Sequence, residues 1–454
     1  MATSPNSGLD RVRDSLRSDL WPLPTIGVIL ALLLGFWLPV IDGWLEEDLP
    51  PTVTTLLFGG GAGAASTVLD AIASSTITVT SLTFSLTVVT LQLASSQFSP
   101  RLLRTFTSDL FVQVTLALFL ATFSYSLTVL RSVRAEDGTQ SEFVPRLSVT
   151  VAFVLVVASV IGLVLFLAHL AQVIRVETML RTVRADGTKT LRRMLVPPSD
   201  HDRGAAVPAP PPDAFLLLAP GSGFLVRIDR DELLAVAKEM AVVVLLDRWA
   251  GTALVEGTPI GAAWHASGSL GQEDRDRLHA TVSQVVGIGS ERTGTQDIGY
   301  GLRQLTDVAI KALSPGINDP TTAVHALGHS SALLCEFAGR QLGPELLTDD
   351  EGAVRVVLAR PELADLLELA VAQPRRYGAA DPDVLARIAS LLAEVAWCVQ
   401  RAEHRTAIVQ QLDRLAATVR AADVDEAEVA MLAELGRTVE RALRRDWTPS
   451  EMTS

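Results

Sequence analysis

Lysine is nearly missing from this chain: Lys189, Lys238 and Lys311 stand against 35 arginines. That bias reads as the codon usage of GC-rich DNA and carries no function. Cysteine is as scarce, with Cys335 and Cys398 alone. Both fall in a part of the chain expected in the cytoplasm, where thiols stay reduced, so no disulfide is expected. Positive charge is in deficit, the formal net charge being −13. Residues 1–174 hold 8 basic and 12 acidic side chains, and residues 175–454 hold 30 and 39. Neither part has the basic field of a nucleic-acid binder. Missing too are a GxxxxGK[ST] phosphate loop, a GxGxxG turn, HExxH, the GxSxG elbow and any internal repeat. These absences point away from an enzyme, a cofactor and a metal centre.

Charge is absent in another sense from four apolar stretches, residues 23–41, 72–94, 110–130 and 147–173, none of which contains Asp, Glu, Lys or Arg. Each approaches the ~20 residues needed to cross a bilayer. The first lacks a small-residue cleavage site, and Trp37, Pro39 and Trp44 follow its apolar core, so it is expected to remain as a helix rather than be removed as a signal peptide. Orientation follows the arginines near the helix ends. Arg11, Arg13 and Arg17 precede the first stretch, and Arg101 and Arg104 separate the second from the third. Asp42, Glu46, Glu47, Asp48 and Asp70 fill the first loop. Arg131, Arg134 and Arg146 dissent, but Arg175, Arg181, Arg184, Lys189, Arg192 and Arg193 after the fourth stretch outweigh them. The expectation is a multi-pass plasma-membrane protein, of a bacterial inner membrane, with both termini cytoplasmic.

The second stretch is unlike a lipid-facing anchor, since ten of its residues between Ser74 and Thr90 carry a hydroxyl. At about 100° per residue, Thr76, Thr80, Thr83, Thr87 and Thr90 fall on one stripe, and Ser74, Thr78, Ser81, Ser85 and Gln92 on the opposite one. Hydroxyl side chains let helices approach and bond to one another. They also suit a water-filled or ion-conducting path. The threonine stripe is the candidate pore lining, and the smaller serines suit contact with a neighbouring helix.

Beyond the fourth stretch, residues 175–195 form a basic juxtamembrane helix suited to anionic headgroups. Residues 196–213, with six prolines, read as an extended linker. Residues 214–290 are β-rich with glycine turns. The pattern from Gly223-Phe-Leu-Val to Val255-Glu-Gly257-Thr-Pro259 resembles the hammerhead turns of lipoyl- and biotinyl-type modules, though no lysine stands at a hairpin tip. A small barrel-like unit is expected there. Residues 291–454 are expected as a bundle of short-looped helices. The fold class is therefore an α-helical membrane domain of four transmembrane helices (23–174) after a cytoplasmic tail (1–22), joined to a cytoplasmic α+β region.

Two motifs carry a resemblance over nearly the whole chain. One runs from Ala73-Ser-Ser-Thr-Ile-Thr-Val-Thr to Ser99-Pro100-Arg101-Leu-Leu-Arg104. The other includes Glu291-Arg292, Gln296-Asp297, Gly301-Leu-Arg303-Gln304 and Ser314-Pro315-Gly316-Ile-Asn318-Asp319-Pro320. The chain resembles the bacterial predicted membrane proteins of domain of unknown function 2254. That resemblance implies a four-helix membrane domain with a cytoplasmic C-terminal domain, and no activity.

In the second motif, Glu291, Arg292, Asp297, Arg303, Asn318 and Asp319 gather polar groups around a helical hairpin. Folding alone explains the same letters if Asp319 is an N-cap, Gly316 a left-handed turn residue and Arg303 the partner of an acid; a ligand or subunit contact is the alternative. His325 and His329, four apart on a helix, read as surface imidazoles. Gln97, Arg101, Arg104, His169 and Gln172 are interfacial candidates near headgroup level. Buried acids that would couple transport to protons are not evident in the apolar stretches. The reading is a passive, channel-like homo-oligomer in the lipid bilayer that passes a small ion or solute and carries a cytoplasmic regulatory domain. Its alternative is a membrane-anchored sensor whose cytoplasmic domain recognises a ligand or protein.

Overall fold

A computed structural model of the chain describes residues 21–45, 57–97, 109–135, 142–173, 175–195, 207–265, 270–422 and 425–447. The chain divides into two units, Met1–Arg175 and Val176–Ser454.

Among the described residues, four apolar helices make the first unit: α1 (Pro22–Leu45), α2 (Ala62–Gln97), α3 (Leu110–Leu130) and α4 (Arg146–Val173). All four are long and apolar enough to cross a membrane. The third is the hub, packing against each of the other three. Small residues bring α1 close to it: Gly27, Ala31 and Gly35 recur at intervals of one turn, and a Cβ at Gly35 would lie 2.9 Å from Thr128 Cβ. A side chain at either glycine would push the helices apart, which is how small-xxx-small spacing works in membrane bundles. Between α3 and α4, Thr122 Oγ1 and Ser159 Oγ meet at 3.0 Å.

Each end of this unit is tied by a carboxylate. The first turn of α4 has Pro145 ahead of it and so no side-chain cap of its own. Asp42 of α1 supplies one from a distance, accepting from Leu147 N at 2.9 Å, Ser148 N at 2.9 Å and Ser148 Oγ at 2.6 Å. These are the amides a helix start leaves without partners. Tyr125 of α3 donates to the Ser148 carbonyl at 3.0 Å, and Glu142 accepts from Ala62 N, at the start of α2, at 2.7 Å. At the opposite end Asp109 caps α3 through Phe111 N at 2.9 Å and bonds His169 Nε2 at 2.6 Å.

The second unit begins with α5 (Val176–Met194). Strands β1 (Phe215–Leu218), β2 (Gly223–Ile228), β3 (Val242–Leu246), β4 (Ala253–Leu254), β5 (Pro259–His265) and β6 (Val286–Gly289) follow, with α6 (Arg230–Glu239) and α7 (Gln272–Val285) among them. Next come α8 (Tyr300–Ala312), α9 (Pro320–Ala338), β7 (Glu345–Thr348), β8 (Val354–Leu358), α10 (Leu363–Tyr377), α11 (Pro382–Cys398), α12 (Glu403–Ala421) and α13 (Glu426–Leu443). The strands form two open sheets, ordered β1-β5-β3-β8-β7 and β4-β2-β6. Apolar side chains of both sheets, α6 and α7 share one core. The remaining helices pack as a bundle, in which α5 lies on α8 and α9. A Cβ added at Gly301 would fall 3.0 Å from Gly187 Cα, so α5 and α8 cross at two residues without side chains.

Two expectations are corrected here. No closed barrel forms among the described residues; β3 is instead the centre of an open five-stranded sheet. Nor is the chain purely helical after residue 291, because β8 pairs in parallel with β3 and β7 adds antiparallel to β8. The run Val354-Arg-Val-Val-Leu358 has the β-branched content of a strand, but its partner lies more than a hundred residues earlier. Of the expected linker, residues 196–206 lie outside the described part, as do residues 1–20 of the tail.

Candidate functional site

The two stripes of α2 face opposite ways in a manner their composition could not settle. Thr76, Thr80, Thr83, Thr87 and Thr90 are all buried within the four-helix unit. Four of them turn their hydroxyls back on their own helix, Thr76 to Ile72 O at 2.5 Å, Thr80 to Thr76 O at 2.7 Å, Thr87 to Thr83 O and Thr90 to Leu86 O at 2.8 Å. Thr83 Oγ1 is buried with no hydrogen-bond partner. These threonines serve as close-packing residues, four of whose hydroxyls are satisfied by the preceding turn of their own helix. Ser74, Thr78, Ser81, Ser85 and Gln92 are exposed. Ser74 and Thr78 donate to Ala71 O at 3.3 Å and Ser74 O at 2.8 Å, so their oxygens remain acceptors.

Where the buried stripe ends, Thr87 and Thr90 line a cavity of about 20 Å³ together with Asp109, Val112, His169 and Leu170. The space suits one water-sized molecule. His169 stacks near Phe111 with ring centres 4.8 Å apart, while Gln172 is exposed. Arg101, Arg104 and the side chain of Gln97 lie outside the described residues.

The second motif is divided between the two ends of α8. Before it, Arg292 grips Asp297 with Nε at 2.9 Å and Nη2 at 2.6 Å, and Asp297 Oδ1 accepts from Gly299 N at 3.0 Å. Burial pushes the Asp297 carboxyl up, against the opposing pull of Arg292. Gly251, at φ +96°, turns the β3–β4 connection directly onto this pair, where any Cβ would collide with Asp297. Glu291 is exposed and joins neither group. Along α8, Arg303 Nε lies 3.4 Å from Asp307 Oδ1. After it, Asp319 caps α9 by accepting from Thr322 N at 3.1 Å and Thr322 Oγ1 at 2.6 Å. Those bonds hold its carboxyl below the usual range. The left-handed turn residue is Asn318, at φ +50°, and not Gly316. With about 20 Å of helix between Asp297 and Asp319, the six residues do not converge on one ligand.

A model of predicted membrane proteins, DUF2254, matches residues 17–394. The chain belongs to the DUF2254 family. Uncharacterized proteins of Mycobacterium tuberculosis and Mycobacterium bovis are each 38% identical to this DUF2254 member over 439 residues, covering 95% of this chain and 82% of the relative. No solved structure matches it. The family description names a membrane protein and no activity, so the function of this DUF2254 chain has to be argued from its own side chains.

Several of those escaped the sequence reading. Asp70, expected in the first loop, stands instead on α2, exposed and four residues before Ser74 on the line of the serine stripe; the i, i+4 spacing was there to find it. Glu177 of α5 reaches His329 Nε2 at 3.0 Å and His325 Nδ1 at 3.6 Å, bridging to α9. Among the described residues, no three His, Cys, Asp or Glu are arranged to hold a metal ion. No local signal pairs residues 177 and 329, which come together only through the bundle.

Proposed function

We propose that the protein works as a membrane oligomer in which the serine stripe of α2 meets the same stripe of further copies and lines a passive path for small cations. The observation that carries this reading is the exposure of Ser74, Thr78, Ser81, Ser85 and Gln92 on a helix whose opposite stripe, Thr76 to Thr90, is already buried. A row of hydroxyls against hydrocarbon gains nothing from lipid; against other copies it permits close approach and hydrogen bonds. From Asp70 to Gln92 the row spans about 33 Å at 1.5 Å per residue, close to the ~30 Å of a hydrocarbon core.

The hydroxyl oxygens of Ser74 and Thr78, whose protons are turned to the backbone, offer lone pairs outward, which suits a cation shedding part of its water. A ring of Asp70 carboxylates at one mouth would raise the local cation concentration and disfavour anions. Between Ser74 and Gln92 the stripe holds no titratable group, so passage would be passive and would involve no chemical step. Asp42 and Asp109, buried or partly buried at the two ends of the bundle, serve as helix caps. They are therefore poor candidates for proton carriers.

The test is flux through the purified protein in liposomes. Potassium efflux should exceed that of protein-free vesicles. Asp70→Asn should reduce the preference for potassium over chloride, Ser81→Leu should abolish flux, and Thr83→Val should leave it unchanged. Vesicles no leakier than controls would end the pore reading.

A further inference from the structure

The second unit holds a cavity of about 40 Å³, open on one side, where four elements converge. Arg230 at the start of α6, Glu345 at the start of β7 and Arg360 just after β8 line it, with Trp249, Gln296 and Met194 closing the sides. Glu345 is shared: its Oε1 lies 2.9 Å from Arg230 Nη1 and its Oε2 2.5 Å from Arg360 Nη2. Two guanidinium groups against one carboxylate leave a surplus of one positive charge.

That surplus is not simply given up to solvent. The Arg360 side chain is 15% exposed and that of Glu345 19%, against 38% for Arg230. Burial, with Arg230 as a like-charged neighbour, holds the Arg360 guanidinium below its ordinary range, the opposing effect of Glu345 notwithstanding. A buried cation is costly unless paired and hydrogen-bonded. Two guanidinium groups carry ten N–H donors, more than one carboxylate can accept. Gln296 adds rigidity and no further charge, because its amide is spent on the backbone of Ile228, accepting from the N–H at 2.8 Å and donating to the carbonyl at 3.1 Å.

We propose that this cavity binds a small oxyanion of phosphate or carboxylate chemistry, held by the fork of Arg360 with Arg230 as the second donor. Guanidinium forks match both groups in geometry, and a charge-assisted contact of this kind is about twice as strong as a neutral hydrogen bond. The volume is enough for two or three water-sized centres, hence for a compact anion or the anionic head of a larger molecule. Occupancy bears on α5. Met194 forms part of the wall, while Thr190 Oγ1 donates to Gly294 O at 2.8 Å and Arg193 donates to Gly294 O and Thr295 O, the residues just before Gln296. Filling or emptying the site would therefore change the support beneath the last turn of that helix. The inference does not depend on whether the apolar helices conduct.

Isothermal titration of the purified full-length protein in detergent tests it, with sodium phosphate and sodium acetate as probes in Tris chloride at constant ionic strength. Saturable binding of at least one probe, near one per chain, is expected. Arg360→Gln should weaken it tenfold or more. Because Arg360 is buried and its replacement risks misfolding, Arg230→Gln, at a more exposed position, is the companion and should weaken binding at least threefold with the unfolding temperature retained. Preference for phosphate over acetate, or the reverse, identifies the head group. Absence of saturable heat from both probes, or affinities that Arg230→Gln and a folded Arg360→Gln both leave unchanged, would overturn the proposal.

Discussion

Replacing Asp42 should show how much of the first unit rests on a cap supplied from another helix. Asp42→Ala removes three hydrogen bonds at once, to Leu147 N, Ser148 N and Ser148 Oγ. Side-chain hydrogen bonds in membrane bundles average roughly 0.6 kcal/mol, giving about 2 kcal/mol for three. Loss of an N-cap costs about 0.5–2 kcal/mol by itself, and Pro145 has no side chain able to take over, so the two routes agree on a loss of about 2 kcal/mol. Asp42→Asn keeps one carbonyl oxygen and should cost about half as much. On the scale of a domain of this size, the unfolding temperature should fall by about 4–8 °C for alanine, and by half that for asparagine. Thermal unfolding of the purified protein in detergent, followed by tryptophan fluorescence, reads both. An alanine variant as stable as the parent would refute the cap. Equal losses for alanine and asparagine would show that charge, rather than the number of acceptors, is what matters.

Thr83→Val deletes a buried hydroxyl that has no partner while keeping its shape; stability should be unchanged or higher by up to about 1 kcal/mol, as read by the same melting curve. Gly301→Ala should destabilise the second unit by about 1–3 kcal/mol, because its new methyl would lie 3.0 Å from Gly187 Cα and 3.4 Å from Val183 O. Asp319→Ala should cost about 1 kcal/mol and Asp319→Asn little. Since the folded carboxyl of Asp319 is depressed, its contribution should be fully present above about pH 4 and lost as the pH falls through the lower folded value, so the gap between parent and Asp319→Ala in a pH series of melts should close on the acid side.

Much of this arrangement is readable from local spacing. Four uncharged stretches become four helices, and Asp319-Pro320 starts a helix because aspartate accepts at an N-terminus and proline needs no amide partner there. The period of the hydroxyls separates the two stripes of α2 correctly. It does not say which one points inward, since threonine and serine are equally able to bury a hydroxyl on their own backbone; that choice is made by packing against the neighbouring helices, α3 and α4. Pairings distant in sequence were unreadable for a related reason. Nothing near residue 354 announces a partner at residue 244, and nothing near Asp42 announces a helix start a hundred residues later. The oxyanion cavity joins residues 194, 230, 296, 345 and 360, which come from four separate stretches of the sequence, the nearest two lying 15 residues apart.

The central claim is that the serine face of α2, and not its threonine face, meets other copies of the chain. Oxidative cross-linking of single cysteines in native membranes tests it most directly, in a background carrying Cys335→Ser and Cys398→Ser. Covalent dimers should form with Ser74→Cys, Thr78→Cys, Ser81→Cys or Ser85→Cys, and not with Thr76→Cys, Thr80→Cys, Thr83→Cys or Thr87→Cys. Dimers from the threonine positions, or from none of the eight in inserted protein, would contradict the account.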